Sequence, residues 1–143
     1  MVQRLTRLPN WRARFAAEMD RQRREAFAWG RHDCALGLVT GAIEAITGVD
    51  LARGYRGKYR GQAAALRILR DAGCETPGDF AATILPEIPP AMARIGDVGV
   101  MSADGPLAQA FCVVDASSLI VMTDLGHGRR PRADMIRAFR VGE

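Results

Sequence analysis

The hydrophobic positions of this chain change their spacing once. Up to about residue 85 they recur every three or four residues, the period of a helix with one buried face. From residue 96 they gather in short runs divided by turn residues, the pattern of strands. Trp11, Phe15 and Met19 fall at i, i+4 and i+8 with Ala26 continuing the stripe, so residues 10–27 read as an amphipathic helix with Asn10 as its N-cap. Gly30 breaks it. Asp33 stands where a cap for a second helix belongs, and Ala35, Leu36, Val39, Ile43 and Ile46 recur along that helix until Gly48 supplies a stop. Apart from Thr40, Glu44 and Thr47 its whole circumference is apolar or small, which predicts a buried central helix. A third helix is expected from Gln62 to Ala72, closed by Gly73, and a short fourth opens at Thr76 with Pro77 in its first turn and runs to about Leu85.

The strand candidates are GDVGVM (96–101), AQAFCVV (108–114), SLIVM (118–122) and AFRV (138–141), with turns at 102–106, at 115–117 and around 126–128. Helices first and antiparallel strands second predict one α+β domain over 1–143, in which a small antiparallel sheet (96–141) packs on the central helix and a basic helical segment (1–28) precedes it.

Composition narrows the class. The hydrophobic and charged fractions, 48% and 25%, are those of a globular domain, so a disordered or fibrous chain is excluded. The longest apolar stretch, ALGLVTGAIEAIT, is interrupted by Glu44, so no transmembrane helix is expected. The basic N-terminus has no apolar segment behind it, which predicts a protein made and kept in the cytoplasm unless a particle carries it out. Cys34, Cys74 and Cys112 lack metal-type spacing and suit a reducing compartment. With His32 and His127 far apart, no metal and no cofactor are expected. The net charge of +4 is uneven: residues 1–31 and 126–143 are basic and the middle is acidic. Basic ends suit docking on an acidic partner.

Candidate chemistry centres on WGRHDCALGLV, residues 29–39. A cysteine in the first turn of a buried helix is where helix N–H groups and dipole favour a thiolate, but acyl transfer also needs a base within hydrogen-bond reach. On spacing alone the favoured reading of Cys34 is a small buried structural residue. His127 and His32 are the candidate bases, and Trp29 and Asp33 of the same phrase are candidate binding residues. In ARGYRGKYRG (52–61), Arg56 and Tyr59 are candidate binding residues of a surface loop with some nucleic-acid-like character.

HDCALGLVTGAIEAITGVDL resembles the nucleophile segment of NlpC-type papain-like cysteine peptidases, in which Asp-Cys-Ser-Gly-Leu-Val opens the central helix. Ile95, Gly96, Asp97, Val98 and Val100 are similar to that family's Gly-Asp-Leu phrase at its first strand, and AQAFCVV falls where its next strand lies. The resemblance implies a papain-like fold with Cys34 as nucleophile. The family's catalytic histidine begins the second of these strands, and the matching positions are Ala108 or, one register on, Gln109. Over nearly the whole chain, the Arg- and Trp-bearing N-terminal helix, WGRHDC, GYRGKYRG, IGDVGV and AFRV resemble a family of small proteins encoded among phage and prophage tail genes. This implies a tail-tip or tail-assembly component with a degenerate peptidase fold, made in the host cytoplasm and then carried in the virion tail, whose partners are other tail proteins. The alternatives are an active Cys34 hydrolase of peptidoglycan stem peptides and a nucleic-acid-binding module, with nucleic acid the less expected partner.

Overall fold

The computed structural model describes residues 2–143. Four α-helices precede or flank a single six-stranded antiparallel sheet, an α+β architecture. Helix α1 spans Trp11–Gln22 and α2 Thr40–Thr47, with a π-helical segment, Cys34–Val39, leading straight into α2; α3 is Gln62–Asp71 and α4 Pro77–Ala82. The strands are β1 (Glu87–Ile88), β2 (Val98–Ser102), β3 (Gln109–Val114), β4 (Ser118–Thr123), β5 (Gly126–Pro131) and β6 (Met135–Phe139), ordered β1-β6-β2-β3-β4-β5.

The central helix is buried as its pattern predicts. Leu38, Ala42, Ile43 and Ile46 join Phe15 and Met19 of α1 and Val98, Val113, Ile120 and Phe139 of the sheet in one core. Alternation along the strands builds a second core on the opposite face from Met101, Cys112, Val114, Leu119 and Val121. Ile88 and Ala93, on β1 and just beyond the single turn that follows it, pack against this second face. The termini are tied to the sheet by Asp97, a fully buried carboxylate. It accepts from the Arg7 guanidinium at 3.1 Å, the Val141 N–H at 2.9 Å and the Arg94 N–H at 3.0 Å. One acidic residue therefore closes the N-terminal arm, the C-terminus and the start of β2 together.

The structure corrects the sequence reading at several places. α1 stops at Gln22, well short of residue 27, so Ala26 is not part of the stripe and the basic segment 1–28 is only partly helical. Asn10 occupies the cap position of α1 but its side chain makes no capping hydrogen bond. The region around 126–128, read as a turn, begins strand β5, paired along its length with β4. Its Gly-His-Gly-Arg-Arg-Pro sequence hides the strand because an edge strand is blunted with charge and proline instead of apolar residues. The last strand is Met135–Phe139, earlier than 138–141. Strand β1, two residues long, gives no pattern to read.

Candidate functional site

Two features of the sequence fix the start of the Cys34 helix. Asp33 accepts from the N–H groups of Ala35 (3.0 Å) and Leu36 (2.8 Å) with one oxygen, and from the Gly30 N–H (2.9 Å) and the Tyr59 hydroxyl (2.6 Å) with the other. It is an N-cap whose every oxygen is committed. The Asp33 C=O then accepts from both Gly37 and Leu38 N–H at 3.1 Å, widening the first turn into a π-helix. Gly37 is required there. A Cβ at that position would collide with the His32 imidazole.

Cys34 faces a cavity of about 150 Å³. Its walls are almost wholly apolar: Val39 and Ile43 from the central helix, Ile68 and Leu69 from α3, Phe80 and Ile84 from α4 and just beyond it, and Phe111 from β3, with Trp29 and Tyr59 alongside. Cys34 itself is half-buried. Burial pushes the thiol up to about 11, with the Asp33 charge adding to the rise and backbone groups of Phe111, Cys34 and Ala35 opposing it. The same surroundings hold Tyr59 well above its ordinary value, through burial first and then through Asp33.

Ala108 and Gln109 differ in where they stand. Ala108 is exposed and left-handed, with φ 64°, just before β3 begins. Gln109 alternates in phase with Phe111 and Val113, which pack with the helix-side core, and it lines the cavity beside Cys34. Its side-chain oxygen accepts from the Gly78 N–H at 2.9 Å, fastening the start of α4 to β3.

Neither histidine lines that cavity. Both lie on the other side of the Cys34 helix. His32, 1% exposed, presents Nδ1 to Glu25 at 3.5 Å, and its buried Nε2 has no hydrogen-bond partner. His127 stands opposite Met122 in the β4–β5 pair and its Nε2 lies 2.9 Å from Gln22 Oε1. Gln22 is completely buried, and its NH2 donates to the Gly37 C=O at 3.0 Å and to Glu18 at 2.7 Å. With the amide so fixed, His127 must carry its proton on Nε2. Burial first, then the neighbouring His32, Arg23 and Arg129, hold His127 below its ordinary value, while Glu18 pulls the other way. Burial raises the Glu18 carboxyl, but hydrogen bonds from Arg21 and Gln22 outweigh it and leave the carboxyl lowered. Gly41 gives Glu18 and Gln22 room against the helix, since a Cβ there would meet both.

Of the remaining candidates, Trp29 packs edge-on against Phe27 and Tyr59 at the cavity, and Tyr59 is buried by its bond to Asp33. Tyr55, in the same loop, lies edge-on to Phe80 and also lines the cavity. The Gly-Tyr-Arg loop thus contributes its rings to the wall. Arg56 pairs with Asp50 at 3.2 Å, on a charged groove along the His32 side. Sequence reasoning missed Gln22 and the role of Gln109. Gln22 left one signal, a polar residue three positions after Met19 on the buried stripe of α1.

Residues 6–141 match a family described as a domain of unknown function, DUF6950. The chain belongs to this family. No curated protein and no solved structure matches the chain. Among the described residues no helix is long and apolar enough to cross a membrane, and no three His, Cys, Asp or Glu side chains are grouped to hold a metal ion.

Proposed function

We infer that this chain is a papain-like domain of the NlpC type that has kept the nucleophile's position and lost its chemistry, and that it works as a binding component of a phage or prophage tail. The observation that carries the reading is the surroundings of Cys34. The sulfur lies at the N-terminal turn of the central buried helix, as a nucleophile would, yet it faces an apolar cavity with its thiol pushed up to about 11. Gln109, which has no side-chain group able to take a proton near neutral pH, stands in the register of the expected histidine. Neither imidazole lines the cavity: His127 is bonded to Gln22, and His32 sits against Glu25. A tail role is supported by the resemblance along nearly the whole chain and by the basic ends, which suit docking on acidic neighbouring tail proteins during assembly in the host cytoplasm.

Two measurements test this. Alkylation of Cys34 by iodoacetamide at pH 7 is expected to run about 300-fold slower than that of a free cysteine, the ratio of thiolate fractions for pKa values of about 11 and 8.5. Particles carrying Cys34→Ala are expected to assemble and infect as well as the parent. Rapid alkylation near pH 6, together with cell-wall clearing that Cys34→Ala abolishes, would instead establish a peptidoglycan stem-peptide hydrolase. Loss of the protein from purified tails, with normal particles formed in its absence, would remove the tail role.

A further inference from the structure

The pocket beside Cys34, partly open to solvent, has a volume of about 150 Å³ and almost wholly apolar walls. Apolar space of this volume accommodates compact apolar molecules about the size of benzene. The cavity has one further property. Gln109 lines the cavity, its Oε1 accepts from the Gly78 N–H, and its NH2, a donor, has no hydrogen-bond partner among the described residues. Asp33 also lines the cavity, and its charge, which already acts on the Cys34 thiol, disfavours an anion there. The site therefore offers an apolar volume, the unpaired amide NH2 of a lining residue and a penalty on negative charge.

We propose that the cavity between the Cys34 helix, α3 and α4 binds a small neutral ligand made of a compact aromatic or branched-alkyl group carrying one carbonyl oxygen, which accepts from the Gln109 amide. Thiol chemistry plays no part: Cys34 forms wall and acts as a reporter. The proposal rests on the reading of this cavity as a binding site and not a hydrolytic one, and the two fail separately, because ligand binding is measured on the purified chain and the tail role on particles.

Benzamide and toluene serve as matched probes, one with the carbonyl and one without. Trp29 fluorescence and the rate of Cys34 alkylation report occupancy in the full-length chain. Benzamide is expected to bind saturably at one site and to slow alkylation in proportion to occupancy. Toluene is expected to bind about tenfold more weakly, the value of one hydrogen bond, and Gln109→Leu to abolish that preference. Ala65→Phe, projecting from α3 into the cavity, is expected to remove binding of both probes while far-ultraviolet circular dichroism stays unchanged, with Ile68→Trp as the second filling variant should Ala65→Phe not fold. Absence of saturable binding by either probe at millimolar concentration, equal affinity for the two probes, or binding that persists in a folded filling variant would overturn the proposal.

Discussion

The two sides of the Cys34 helix differ in every property that chemistry depends on. One side is a cavity walled by aliphatic and aromatic side chains, with a cysteine whose burial keeps it protonated. The other is a polar network in which Glu18, Gln22 and His127 are linked by hydrogen bonds and His32 sits against Glu25. The residues that a cysteine hydrolase would bring together are present, one helix thickness apart. The π-helical turn and Gly37 are what let the polar side approach so closely, since they open the backbone to the His32 ring and to the Gln22 amide. Two regions that read as one catalytic phrase in the sequence thus do different work: one side encloses space, and the other clamps α1 and β5 onto the helix.

That contrast can be broken from either side. The largest effect is expected at the junction, where Asp33→Ala removes the acceptor for two helix N–H groups, the Gly30 N–H and the Tyr59 hydroxyl. A loss of about 3 to 4 kcal/mol is expected, from one cap and two stranded donors, and a urea midpoint within error of the parent would refute the assignment of Asp33 as the hub. On the polar side, Gln22→Met keeps the volume and strands the Gly37 C=O and the His127 N–H, at a cost of about 2 kcal/mol. Thermal unfolding measures it. On the cavity side, Cys34→Val should cost below about 1 kcal/mol, because one small apolar side chain replaces another against apolar walls. A cost at Cys34 equal to that at Gln22 would mean the two sides do not differ as described.

The smallest effect is in pH. Because folded His127 titrates below its unfolded value of about 6.5, the unfolded chain takes up the proton first. The stability that neutral His127 contributes is therefore complete above about pH 6.5 and is lost as the pH falls through the lower folded value. His127→Gln should flatten the fall in melting temperature between pH 7 and pH 5. An unchanged slope would place the acid sensitivity elsewhere.

Much of the fold was legible because burial writes a periodic signature. The stripe Phe15–Met19, the apolar circumference of the central helix and the runs at 96–101, 108–114 and 118–122 all supply residues to the two cores as their spacing implies. Strand β5 was illegible for the opposite reason, being an exposed edge whose only inward side chains are few and polar. Within the site, Cys34 and Asp33 announced themselves through a local rule, the chemistry of a helix start. Gln109 was narrowed to two registers and no further, because a left-handed Ala108 decides which residue turns inward.

The sequence by itself determined the α+β order of elements, the buried central helix and the placement of a cysteine at its first turn, because period, caps and breakers act over a few residues. Only the tertiary structure decided which side of that helix each chemical group occupies. His32 lies two residues from Cys34 and still falls behind the helix, while Gln109, far along the chain, comes to stand beside the sulfur's cavity. Proximity across strands and helices follows from strand register and from packing between elements distant in the chain, which no local spacing encodes.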